Sequence, residues 1–382
     1  MLKTLQNAFK VKDVRHRIFY VLMMLVVIRI GSQLPVPGVD GSYFKTWFES
    51  QTGDAFNFLD AFTGGSFSQM SIFALSITPY ITSSIIIQLL TIAIPKLEEM
   101  QRDGEDGRKK LGAITRYVTI GLSLFESIAM AIGFGNKGLI PDNNFVKMVV
   151  VVVALTAGSA FLMWVGEQIN EKGVGNGISI VLLINIVSRI PSDMTTLYES
   201  FMKGKIIAKA LLSGVIIAAI IIGVVILVII LNGAERRIPV QYSKKMQGRK
   251  MMGGQSSHIP LKVNTAGVIP VIFASSIMSF PSVIASFLGK TGGTGIGGKI
   301  LAGMNSNNWF DLDHPWYSIG LVAYIIMVIF FAYFYTSITF NPLEVADNMK
   351  KQGGFIPGIR PGKPTVDYLT KMLNYIIFIG AA

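Results

Sequence analysis

Stretches of apolar residues as long as a bilayer is thick run through this chain. The clearest are approximately Tyr117–Phe134, Met148–Gly166, Val174–Val187, Ala210–Asn232, Val263–Gly289 and Pro315–Phe340. About 18–20 apolar residues in a helix cross a hydrocarbon layer of about 30 Å. An earlier run, from about Ile18 to Leu34, follows a basic tail, and no small-residue cleavage site comes after it. It is read as a retained first span rather than a signal peptide. Arg29, near the far end of that run, is expected to snorkel to the interface. A last apolar stretch, Met372–Ala382, is too short to span, so the chain is expected to stop inside a ninth span.

Composition agrees. Of 382 residues 51% are hydrophobic and 15% charged, against roughly 25% charged in a soluble globular chain. There is no cysteine, hence no disulfide framework, thiolate site or cysteine nucleophile. The histidines, His16, His258 and His314, are far apart and outside the apolar runs, so no metal site is expected, and no cofactor. The fold class that follows is all-α, a polytopic membrane helix bundle.

One segment resists a simple span. Ala61 to Pro95 carries no charge over 35 residues, whereas one perpendicular helix needs about 20. Gly64, Gly65 and Pro79 interrupt it. The expected resolution is a half-helix that dips in, around Leu59–Ser71, followed by a full span from about Ile77 to Ile94. Backbone broken at membrane depth is tolerated only where protein or a water-filled cavity surrounds it. The segment therefore points to a cavity.

Lys and Arg counts set the topology. The N-terminal tail holds five, Pro95–Arg116 six, Gly233–Lys262 seven and Asn341–Lys371 five. All four lie on one side if each span is counted once, and that side is expected to be cytoplasmic, with the N-terminus. The net charge of +12 then has two readings: topogenic charge, or a docking surface for an acidic partner such as ribosomal RNA or a motor protein.

Two motifs imitate nucleotide chemistry without completing it. Gly289–Thr291 reads GKT, but Ile284 stands where a phosphate loop needs its first glycine. Gly173–Gly177 reads GVGNG, but Ile178 takes the place of the final glycine of a dinucleotide fingerprint, and a span follows it. Glu126 is the one ionisable residue well inside a span. A lone glutamate without an evident partner argues only weakly for a proton relay, so a small-molecule transporter with broken helices is the alternative reading rather than the first.

Four motifs, PYITSSIIIQLL (Pro79–Leu90), GVGNGISI (Gly173–Ile180), AGVIPVIFASSI (Ala266–Ile277) and FIPGIRPG (Phe355–Gly362), resemble signatures of the SecY family of bacterial protein-translocation channels. Their order, spacing and topology agree with it over essentially the whole chain. The resemblance implies two inverted halves around a central pore, here 1–205 (spans one to five and the plug) and 206–382 (spans six to eight and the start of the ninth). It implies a pore ring at Ile81, Ile85, Ile178, Leu182 and Ile272. On residues alone, Ile81 and Ile85, like Ile178 and Leu182, share a helix face, which is equally ordinary packing. A ring of branched aliphatics excludes water and ions and can deform around a passing chain, because its contacts are non-directional.

The same resemblance implies a plug including Leu59, Phe62, Gly64, Gly65 and Phe67, expected to be small and marginally packed. It implies a lateral gate with polar positions Thr91 and Asn264, which could equally be helix–helix glue. It implies motor and ribosome docking through Arg360, with Arg236 and Arg237 joining that surface or serving only as topogenic charge. The implied partners are SecE, SecG, the SecA ATPase, the ribosome, signal peptides with unfolded secretory chains, and membrane lipid in the bacterial cytoplasmic membrane. The implied function is passage of secretory chains outward and release of membrane segments sideways, with no covalent chemistry and so no enzyme activity. A tenth span, which in the family completes the ring, is expected to be absent.

Overall fold

The computed structural model describes residues 9–50, 60, 63–135, 138, 144–203, 207–242, 245–247, 250–252, 256–287, 296–304, 309 and 315–381. Helices dominate: α1 Lys12–Gly31, α2 Gly41–Ser50, α3 Thr78–Ala93, α4 Pro95–Arg102, α5 Glu105–Gly135, α6 Phe145–Lys172, α7 Gly177–Phe201 and α8 Ile207–Gly233. Strands β1 Glu235–Tyr242, β2 Lys245–Gln247, β3 Lys250–Met252 and β4 Ser256–Lys262 follow. Then come α9 Ile269–Phe287, α10 Ile296–Met304, α11 Ser318–Thr339, α12 Pro342–Lys351, the short strand β5 Gly354–Phe355, and α13 Lys363–Ala381. Two compact units are present: Met1–Leu197 with Ser279–Ser318, and Tyr198–Met278 with Ile319–Ala382.

Among the described residues five helical stretches are long and apolar enough to cross a membrane: α5, α6, α7, α8 from Lys209, and Pro315–Lys351. α3 and α4 pass the same test together but are bent by 108° at Ile94. The bend has a local cause. Pro95 restricts the residue before it to extended backbone, and Ile94 sits at φ −113° and ψ 111°. Pro95 in turn starts α4, where a missing amide costs nothing.

In the first unit, α5 and α6 lie side by side. Glycines let α6 approach its other neighbours, the residues before α3 and the start of α7. A Cβ on Gly158 of α6 would run into the Ile72 carbonyl, and one on Gly177 into the Gly166 carbonyl. Along α5, Thr115, Thr119, Ser123 and Ser127 are buried at four-residue spacing. The hydroxyls of Thr115, Thr119 and Ser127 donate to the carbonyl four residues back and that of Ser123 to Ile120, while Thr156 of α6 donates to the Ser127 hydroxyl. With hydrocarbon outside there is no hydrophobic drive between helices, so close approach and hydrogen bonds hold them.

The GVGNG stretch is a reversal between α6 and α7. Asn170 accepts from the Gly177 amide at 2.7 Å, and Asn176 caps α7 by accepting from the amides of Ile178 and Ser179. Gly175 takes φ +83°, a conformation glycine adopts freely. The motif is thus fully used by the turn.

The second unit carries a feature absent from an all-helical expectation. β1 pairs antiparallel with β4, from Glu235 against Lys262 to Gln241 against Ser256, and at its end with β5, Gln241 against Phe355. β2 and β3 form a separate two-stranded ribbon. Residues of the two basic stretches Gly233–Lys262 and Asn341–Lys371 therefore share one sheet, in order β4-β1-β5. Ile238 and Val240 turn inward at period two and join Leu261, Ala346, Met349, Ile356, Leu369 and Leu373 in one core. The helix-bundle class stands; the sheet is a small addition to it.

Candidate functional site: an aliphatic face and the segment seated beside it

The site is built around α7. Ile178, Leu182, Asn185 and Arg189 are spaced by four, three and four, so they form one stripe along the helix. The first two are the expected ring positions; the last two reach the segment 60–77.

Ile81 on α3 and Ile178 and Leu182 on α7 are half-buried and pack against one core of Met24, Ile28, Phe73, Ile77, Leu162, Val165, Ile169 and Val181. Gly166 of α6 leaves room there: a Cβ on it would sit 3.6 Å from Ile77 and 3.7 Å from Ile178. Ile85, one turn along α3, is buried. Four expected ring positions thus fall in the first unit, on two helices. Ile272 lies in the second unit, near the start of α9, and is buried within it.

The uncharged segment differs from the marginally packed half-helix expected of it. Helical geometry is described at Asp60 and Thr63, and from Gly64 to Ile77 the chain runs through successive turns. Gly64 and Gly65 have φ of +68° and +83°, and so do two residues with side chains, Met70 at +46° and Ser76 at +52°. Left-handed backbone outside glycine persists where the surroundings over-determine it, and here they do. Met70 is 1% exposed. Its carbonyl accepts from the Val36 amide at 3.0 Å, and Ile72 donates to the Leu34 carbonyl at 2.9 Å. Phe67 meets Phe44 and Phe134 in an edge-to-face triad with centroids 4.9 to 6.3 Å apart. Leu59 and Phe62 lie outside the described residues.

Polar contacts tie this segment to two helices. The Asn185 side-chain amide donates to the Ser76 hydroxyl at 3.0 Å. A Cβ on Gly64 would come within 2.7 Å of the Asn185 carbonyl, so glycine is required where this turn meets α7. Arg189 forms an ion pair with Asp60 at 2.6 Å, and a longer contact to Asp193 at 3.7 Å. Asp60 also accepts from the Ser68 amide at 2.8 Å. Asp60 lies outside the spanning helices, and burial pushes its carboxyl above the ordinary aspartate range, opposed by the Ser68 bonds and by Arg189. Arg29 donates to the Gly64 carbonyl at 3.5 Å.

Thr91 and Asn264, the expected gate positions, belong to different units and are each bonded inside their own. Thr91 is buried, and its hydroxyl donates to Gln88 in the same helix at 2.7 Å. Asn264 donates to Asn232 at 3.0 Å and accepts from the Gly267 amide at 2.9 Å. Arg236, Arg237 and Arg360 are exposed. Arg236 and Arg237 lie on β1, where Arg237 pairs with Glu235 at 2.6 Å, and the Arg360 carbonyl accepts from the Thr365 hydroxyl at 2.9 Å.

Sequence reasoning missed Asp60 and Arg189 as partners. Arg189 lies just beyond the apolar run that ends near Val187. In the structure α7 continues through Pro191 to Phe201.

A family model described as SecY matches residues 71–382. The chain belongs to the SecY family. The protein translocase subunit SecY of Halalkalibacterium halodurans is 44% identical over 386 residues, covering 100% of this chain and 86% of that protein. A solved structure described as a protein conducting channel aligns with a TM-score of 0.60 at 18% identity, over 96% of this chain and 82% of that one. The idle yeast Ssh1 complex bound to the yeast 80S ribosome aligns with a TM-score of 0.61 at 16% identity, over 96% and 82%. Membership favours a multi-pass channel subunit of the SecY family over the small-molecule transporter.

Proposed function

We propose that this chain is the pore-forming subunit of a protein translocase. It passes unfolded secretory chains across the bacterial cytoplasmic membrane and releases apolar segments sideways into lipid, with its N-terminus in the cytoplasm. Ile81, Ile85, Ile178, Leu182 and Ile272 form the neck, and the segment through Gly64, Gly65 and Phe67 is the plug. Residues 1–205 and 206–382 act as the two halves.

The observation that carries this reading is the α7 stripe. One helix face offers aliphatics, Ile178 and Leu182, and then the polar contacts that seat the segment 60–77, Asn185 and Arg189. A neck closed by water exclusion needs only apolar atoms, whereas a stopper beside it must be positioned, and hydrogen bonds and a charge pair supply direction that apolar contacts lack.

Thr91 and Asn264 are the polar positions of the lateral gate. Their present bonds are of the kind worth roughly 1 kcal/mol in a membrane, weak enough to exchange when a signal peptide intercalates. Arg236, Arg237 and Arg360 form the basic surface that meets the ribosome or the SecA ATPase, where positive charge steers an acidic partner. SecE and SecG complete the complex, and the energy comes from SecA or the ribosome rather than from chemistry in this chain.

The test is ion conductance of proteoliposomes holding the chain with its translocase partners. Replacing Ile81, Ile178 and Leu182 together by Ser hydrates the neck and should raise the resting leak severalfold. An unchanged leak, with the protein still folded, would overturn the neck assignment.

A further inference from the structure

The Asp60–Arg189 pair is an unusual expense. Asp60 has its side chain 5% exposed and Arg189 26%. Removing two such charges from water costs more than their attraction commonly returns, so a buried pair is weak evidence for stability and better evidence for fixing one arrangement. It also stands at a particular place. Asp60 lies four residues before Gly64, and its carboxylate accepts from Ser68, beyond the two glycines. One carboxylate therefore joins Ser68 to Asp60 and both to α7. No other ion pair is described between this segment and a helix; Arg29 touches it only through the Gly64 carbonyl.

We propose that Asp60 and Arg189 are positioning residues that form an electrostatic latch, holding Asp60 and the turn 63–68 on the end of the α7 stripe in the resting protein. Charge is suited to this task. Apolar packing of Phe67 against Phe44 and Phe134 tolerates small sliding, whereas an ion pair at 2.6 Å has one register. When α7 moves, Arg189 is the more exposed partner and already lies 3.7 Å from Asp193. It can exchange one carboxylate for the other, so the latch opens without leaving the arginine unpaired. The inference rests on the plug reading for its consequence but not for its geometry.

The chain has no cysteine, so a single Ser66→Cys reports on the segment; Ser66 is 2% exposed. The full chain in proteoliposomes with its translocase partners is labelled with a small maleimide, and resting ion conductance is measured on the same samples. Labelling should be slow in the parent. Arg189→Ala strands the carboxylate and should speed it by about tenfold or more. Asp60→Asn, which keeps the shape and the acceptor for Ser68, should speed it less. Arg189→Lys retains the charge and should stay near the parent. Equal rates in the parent, Arg189→Ala and Asp60→Asn would overturn the latch. Equal acceleration by Arg189→Lys and Arg189→Ala would also overturn it, because packing rather than charge would then hold the turn. Faster labelling with unchanged conductance would uphold the latch and refute the plug reading.

Discussion

The segment 63–77 and the stretch of α8 from Ala210 to Gly233 are both uncharged, and they are opposite in what they touch. Among the described residues α8 is the most apolar of the spanning helices, and its spanning stretch contains no buried residue. The segment is less regular and richer in serine and glycine, yet Thr63, Ser66, Phe67, Met70, Ser71, Phe73, Ala74, Leu75, Ser76 and Ile77 are all buried. In water the more apolar element would be the more buried. In a membrane, lipid is as apolar as leucine, so apolarity marks what spans and says little about what packs. Packing falls to small residues, aromatic contacts and polar contacts such as that of Ser76 with Asn185, and the segment has all three.

Four substitutions sharpen that contrast, each read as a shift in thermal unfolding of the purified chain. The largest effect is expected from Phe134→Ala, which removes the centre of the triad with Phe44 and Phe67; core aromatic truncations cost about 3–5 kcal/mol. Gly158→Ala drives a methyl against the Ile72 carbonyl, and overpacking of this kind costs about 1–3 kcal/mol. Asn170→Ala leaves the Gly177 amide without its acceptor, at about 1–3 kcal/mol for an unsatisfied buried donor. Ile226→Ala, on the bare face of α8, should stay within about 0.5 kcal/mol of the parent, as exposed sites do. If Ile226→Ala were as damaging as Phe134→Ala, the contrast would fail.

The spanning helices were legible in the sequence because their signal is length and apolarity. The run Met148–Gly166 became α6 and Ala210–Asn232 became α8. Their ends were not legible. α5 begins at Glu105 rather than near Tyr117, because helix continues beyond the hydrocarbon where water solvates its charges. The sheet escaped notice because β1 is basic at its start and interrupted by Pro239. Its inward pair, Ile238 and Val240, was an available period-two signal. A break at Gly64 and Gly65 is legible from the glycines, but the run of turns that replaces a half-helix and its tight packing are not. That packing depends on Phe44, Phe134 and Val36, contributed from elsewhere in the chain. The aliphatic positions 81, 178 and 182 were recognisable only through the motifs around them, since isoleucine and leucine four apart on a helix are commonplace.

The most direct test of the channel reading compares the two kinds of apolar surface. Single cysteines at Ile81, Ile178 and Ile226 are placed in the otherwise cysteine-free chain, and a cysteine-bearing secretory chain is stalled in transit under oxidising conditions. Disulfides to the stalled chain at Ile81 and Ile178, and none at Ile226, are expected if the α3 and α7 faces line the path. Absence of adducts at both Ile81 and Ile178, or equal adducts at Ile226, would contradict it.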